Sequence, residues 1–253
     1  MRYILNIQYF GGRGASAGGR TRQPGGGGNV TIINSTSLVS RRNEDGGKER
    51  KIVDDVLETA QWYKDKYGGE AYDLQVAKLS DKDDDTLAFC DMASGVTMNQ
   101  KYWNDDVMNQ VFDIDVKNGN HPTRGKKTAL QATMAHEMGH VMNHRLAEFQ
   151  KVDYNKVAND IVEDSRKLIK TTRGVVQMAY KISNYASKNT KETIAEAYAD
   201  YYCNGKKAKK ESRAIVYTMA KKLSGYSNSG VSKPNVNDYF TSKEYNEIEK
   251  RDK

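Results

Sequence analysis

His136-Glu137-Met138-Gly139-His140 has the spacing of an H-E-x-x-H metal motif, with helix-forming sequence on both sides. Residues four apart fall one turn apart on one helical face, so both imidazoles can reach a single ion. Glu137, beside the first histidine, is placed to reach water bound to that ion. The chemistry this suggests is hydrolysis by a zinc enzyme. With only 4 histidines in 253 residues, a chance match is rare. Catalysis needs more than the pair: a third ligand, an open coordination position and room for substrate.

Several third ligands can be weighed from spacing alone. The metzincin pattern requires Gly and His where this chain has Asn143 and Leu146, so that arrangement is excluded. His144 lies one turn beyond His140, but three imidazoles at successive turns splay around a helix. His121, followed by Pro122, is a weaker candidate still. A carboxylate from a later helix is the better choice. Glu192 and Glu196 share one helical face, either of them fits, and Asp200 continues the row. Cys90 and Cys203 lie in no C-x-x-C pair and near no histidine in sequence; they read as buried free thiols in a reducing compartment.

These residues need elements to hold them. A helix over about 128–149 carries the motif, with Leu130, Met134, Met138, Val141, Met142 and Phe149 as an apolar stripe. His136 and His140 point to the other side, near Ala132 and Gly139. The stripe is expected to pack as core on a sheet, and the histidine side to lie against another helix. That second helix opens near Thr190, where Ala195 and Ala199 beside the carboxylates suit close approach. Upstream, Ile52, Val56, Leu57, Ala60 and Tyr63 predict a helix from Lys48 to Tyr67, ended by Gly68-Gly69. Strand-like pieces follow at 72–79, 86–92 and 96–103. The acidic run Asp81, Asp83, Asp84, Asp85 lacks the Gly and Glu of a calcium loop and reads as a solvated turn. A helix over about 154–172 stops at Gly174, and a basic helix spans 206–223. The expected fold class is α+β: a small mixed sheet packed on the metal helix and a second ligand-bearing helix, in a domain over 48–225, with a polar tail over 226–253.

Residues 11–47 are rich in Gly, Ser, Arg and Asn, with four glycines in a row at Gly25 to Gly28, and read as a disordered arm. The net charge of +7 would suit an anionic partner such as nucleic acid. The excess lies in the arm and in Lys206-Lys207-Ala208-Lys209-Lys210, without the aromatics of a single-strand platform, so a solvated surface is preferred. No stretch approaches a membrane span. Met1 to Ile7 is too short and polar for a secretory signal, so the chain reads as cytosolic.

Two resemblances add to this reading. Ser183-Asn184-Tyr185 through Glu192-Thr193-Ile194-Ala195-Glu196-Ala197-Tyr198, taken with H-E-x-G-H, resembles the catalytic domain of the anthrax lethal factor-like zincins over roughly 96–202. Its serine stands two residues before Tyr185 rather than next to it. The resemblance implies a zincin-like peptidase with zinc held by His136, His140 and Glu192, Glu137 as general base and Tyr185 facing the reacting carbonyl. Glu196 would support the ligands from outside or replace Glu192. It also implies an edge strand at Val96, Thr97 and Met98, to which an extended protein or peptide substrate would add. Leu5-Asn6-Ile7-Gln8-Tyr9-Phe10 resembles the L-N-x-Q-[FY]-F leader of phage head proteins. That implies phage or prophage origin, removal of residues 1–10, residence in the bacterial cytoplasm or the virion, and capsid association. The competing expectation is a phage head-associated structural or nucleic-acid-binding accessory protein whose zinc is not catalytic.

Overall fold

A computed structural model describes residues 48–68, 74–77, 87–91 and 95–249. The leader, the Gly-rich arm and the acidic run at 81–85 lie outside the described residues. The described part is mostly helical with a small sheet, in keeping with a mixed α+β class.

Helix α1 (Lys48–Tyr67) buries Ile52, Val56, Thr59, Tyr63 and Tyr67, a spacing of three and four that keeps them on one face. Strands β1 (Leu74–Ala77), β2 (Ala88–Asp91) and β3 (Gly95–Asn99) form one sheet in the order β1-β3-β2. β1 runs parallel to β3, with Leu74 opposite Val96, and β2 runs antiparallel, with Ala88 opposite Met98. The expected edge strand at Val96, Thr97 and Met98 is therefore the central strand. Its backbone is paired on both sides and its side chains are buried, leaving no edge for a substrate; β2 is the outer strand of the antiparallel pair. The strand expected to run on to Trp103 breaks at Asn99, whose side chain caps a 3-10 turn over Gln100–Tyr102.

Helix α2 (Asp105–Lys117) was not foreseen from periodicity, although Asn104 caps it by accepting from the N–H groups of Asp106 and Val107. Helix α3 (Ala129–Gln150) begins with a capping box between Thr128 and Gln131. From Ala129 to Ala147 only His144 escapes burial, so all but the last turn of this helix lacks a solvent face and runs through the centre of the domain. It packs against α1, β2, α4 (Tyr154–Leu168) and, most extensively, α6 (Thr190–Asn204). Gly174 does not stop α4, which ends at Leu168 with Lys170 in the left-handed region (φ 50°); it caps the start of α5 (Val175–Ile182).

Helix α7 (Lys210–Leu223) follows α6, and the described residues end in α8 (Ser242–Glu249). The segment after 225 is not a free polar tail. Val231, Tyr239 and Phe240 are buried, Arg145 donates to Tyr67 O, Gly68 O and Ser229 O, and Arg213 pairs with Glu244 at 2.7 Å. Gly68 (φ +65°) makes this closure possible, because a Cβ there would meet Gly230 O at 2.7 Å. Trp62, Tyr63 and Tyr67 of α1 interleave with Tyr198, Tyr201 and Tyr202 of α6, and Tyr63 also donates to Ala135 O, binding α1 to both central helices. No helix among the described residues is long and apolar enough to cross a membrane.

Candidate metal centre

The centre depends on how closely α3 and α6 approach. Gly139 faces α6 so tightly that a Cβ on it would lie 2.7 Å from Ala195 Cα. This contact brings Glu192, three residues before Ala195, over the histidine face of α3. Asn189 fixes the start of α6 by accepting from the N–H groups of Lys191 and Glu192.

Ligand atoms of His136, His140 and Glu192 lie within 4.8 Å of one another, all three residues are buried, and together they can hold a metal ion. Glu192 Oε2 is 3.2 Å from His136 Nε2 and 3.4 Å from His140 Nε2. Donors at about 2.1 Å from a tetrahedral ion stand roughly 3.4 Å from each other, so these separations fit a shared cation. His140 Nε2 and Glu192 Oε2 are buried without a hydrogen-bond partner among the described residues. Unsatisfied buried polar atoms that converge on one point are what an ion would relieve.

Glu196 is not turned toward that point. Its Oε1 lies 2.8 Å from Nδ1 of His136, on the ring edge opposite the convergent Nε2. The same carboxylate meets His121 Nδ1 at 2.9 and 3.1 Å and accepts from Ser183 Oγ at 2.8 Å. A carboxylate on Nδ1 fixes the imidazole's tautomer and angle and raises its basicity as a ligand. Burial pushes the Glu196 carboxyl up, but the charges of His121 and His136 and their hydrogen bonds outweigh it and hold it at about 2. Glu192 is likewise held at about 2, against burial, by His140 and His136. Both are anionic at neutral pH.

Glu137 is buried beside the convergent atoms and accepts from the backbone N–H of Cys90 in β2. Burial raises its pKa, with Glu192 adding to the rise and the two imidazoles opposing it. Tyr185, 3% exposed, has its ring centroid 5.9 Å from that of His136. Burial and the charges of Glu192, Glu196 and Glu137 push its phenol well above the ordinary 10, so it is a donor at any working pH. His144 stays out of the cluster and stacks on Tyr154 at 4.0 Å.

The structure thus brings together His136, Glu137, His140, Tyr185, Glu192 and Glu196, and leaves Val96, Thr97 and Met98 in the sheet interior. Sequence reasoning missed three contributors. His121 was weighed only as a ligand, Ser183 was noted only as a displaced serine, and the Cys90 N–H depends on strand order. The position of Ser183 two residues before Tyr185 was the one available signal. No protein-family model matches the chain, and comparisons with curated proteins and with solved structures returned no match either.

Proposed function

We propose that the chain is a zinc-dependent metalloendopeptidase with a zincin-like fold, acting on a protein substrate. The observation that carries this reading is the buried convergence of His136, His140 and Glu192. Two imidazoles and one carboxylate form the donor set of catalytic zinc, and no fourth His, Cys, Asp or Glu joins them among the described residues. A structural zinc would normally be closed by such a fourth ligand. When bound, zinc would supply Lewis acidity and lower the pKa of water toward about 7. Glu137, steadied by the Cys90 N–H, takes the proton of the attacking water and returns it to the leaving amine. Tyr185 donates to the oxyanion that develops on the scissile carbonyl. Glu196 holds His136 in its ligand orientation throughout.

The outer edge of β2 replaces β3 as the proposed substrate edge. Leu87 and Asn99 form a hydrogen-bonded pair, so Ala88 and Cys90 occupy the alternate positions whose backbone groups point away from β3. Cys90 spends its N–H on Glu137 on that side, so an extended chain would pair with β2 through the backbone groups of Ala88 and the Cys90 carbonyl. Phage or prophage encoding rests on the resemblance at Leu5 to Phe10 alone.

The test is zinc content together with proteome-wide cleavage mapping, wild type and Glu137→Gln side by side. Equal zinc in both, with new termini in the wild type only and none after chelation, is the expected result. A zinc-loaded wild type that makes no new termini, or termini that persist in Glu137→Gln, would overturn the reading.

A further inference from the structure

Lys188 ends the 3-10 turn over Ala186–Lys188, directly after Tyr185, and its ammonium lies 3.9 Å from the centroid of the Tyr185 ring. Lys191, next to Glu192 in the first turn of α6, carries its ammonium 4.8 Å from the Tyr154 ring centroid. Two cations therefore flank the candidate centre, each laid on an aromatic face. Lys188 has no carboxylate within ion-pair distance among the described residues, and Lys191 meets Asp153 only at longer range.

The negative groups nearby are of another kind. Glu137, Glu192 and Glu196 are all buried, and a bound divalent cation offsets two of those charges. An approaching chain therefore meets a positive rim over a floor whose buried negative charge is largely offset. The Lys188 side chain is exposed, so its ammonium is open to a chain that passes over Tyr185.

We propose that Lys188, with Lys191 beside it, selects substrates that carry Asp or Glu close to the scissile bond. The proposal rests on the peptidase reading. If the Tyr185 phenol contacts the scissile carbonyl, Lys188 sits just behind that contact. An extended chain advances roughly 3.4 Å per residue, so an acidic side chain within about two residues of the bond reaches the ammonium.

The test uses the zinc-loaded full chain and an equimolar degenerate peptide library read by mass spectrometry. Matched peptides differing only by Glu or Lys at the selected position then give kcat/KM for the wild type, Lys188→Glu and Lys188→Met. The expected wild-type preference for Glu over Lys is roughly five-fold, the scale of one exposed ion pair. Lys188→Glu is expected to reverse the preference and Lys188→Met to erase it. Zinc content is read in each variant, and the methionine variant decides if the charge reversal disturbs folding. Cleavage without acidic preference, or a preference that survives both substitutions, overturns this inference alone. Absence of cleavage of every library peptide overturns the peptidase reading with it.

Discussion

Glu192, Glu196 and Asp200 stand four residues apart along one face of α6, and all three are buried. The two ends of that face nevertheless differ in character. At the first end, Glu192 Oε2 faces two imidazole nitrogens and lacks a hydrogen-bond partner. At the other, Asp200 accepts from Asn204 Nδ2 at 2.9 Å, the Lys209 N–H at 2.9 Å and Ser212 Oγ at 2.7 Å, tying the end of α6 to the start of α7. Between them, both oxygens of Glu196 are engaged by His136, His121 and Ser183. Burial is the same in all three, so it assigns no role. The deciding property is whether the fold supplies donors: a carboxylate satisfied by hydroxyl and amide groups is structural, and one left short of them is ready for a cation.

The largest effect should come from breaking the ligand end. Glu192→Ala is expected to reduce zinc affinity by more than the roughly 10–100-fold that removal of an outer partner usually produces. Glu196→Gln, which leaves the convergent atoms in place but weakens the hold on His136 Nδ1, should fall inside that range. Competitive titration with a chromophoric chelator compares the two directly. If Glu196→Gln lost zinc more completely than Glu192→Ala, the roles assigned along α6 would be exchanged.

Next in size is the contact that brings the ligand end into place. In Gly139→Ala the new Cβ meets backbone, Ala195 Cα at 2.7 Å, so α6 must move rather than a side chain. Overpacking of this kind is worth about 1–3 kcal/mol, and denaturant unfolding of the zinc-free protein would read it. Because Glu192 travels with Ala195, zinc affinity should drop as well. Asp200, anchored to α7, would keep its partners. Unchanged stability in Gly139→Ala would mean that the helices are not held at this distance by the glycine.

The same contrast explains what could be read from sequence. Both histidines, Glu137 and a helix opening near 128 follow from helical periodicity. The choice between Glu192 and Glu196 does not, because the donors that occupy Glu196 include His121, 75 residues away, which arrives from the α2–α3 connection. Strand order fails for a similar reason: the parallel pairing of β1 with β3 is non-local, and alternation along Val96, Thr97 and Met98 carries no record of how many neighbours the strand has. Helix α2 was hidden by Val107 and Ile114, apolar residues on its exposed side that blur its periodicity. The packed C-terminal segment shows Val231, Tyr239 and Phe240 as buried apolar anchors, with Tyr226 and Val236 partly buried beside them, too sparse for any period, and it is tied as well by the arginines of α3 and α7.

The smallest effect tests the far end of the face, and its signature is a pH dependence. Burial holds the Asp200 carboxyl above its ordinary 3.8, although Ser212, the Lys209 N–H and Asn204 pull it down. An acid whose pKa is higher folded than unfolded binds protons more tightly in the folded state. Its contribution to stability therefore declines as pH rises from 3.8 toward the raised value, and is level above that. Asp200→Asn removes the titration, so this part of the decline should vanish from the pH–stability curve of the zinc-free protein. The asparagine oxygen can still accept from part of the donor set, which keeps the change at neutral pH within about 1 kcal/mol. Zinc affinity should not move, since Asp200 lies two turns from Glu192 and shares none of its partners. Weakened zinc binding in Asp200→Asn would show that the carboxylates on α6 act as one coupled row rather than as two separate ends.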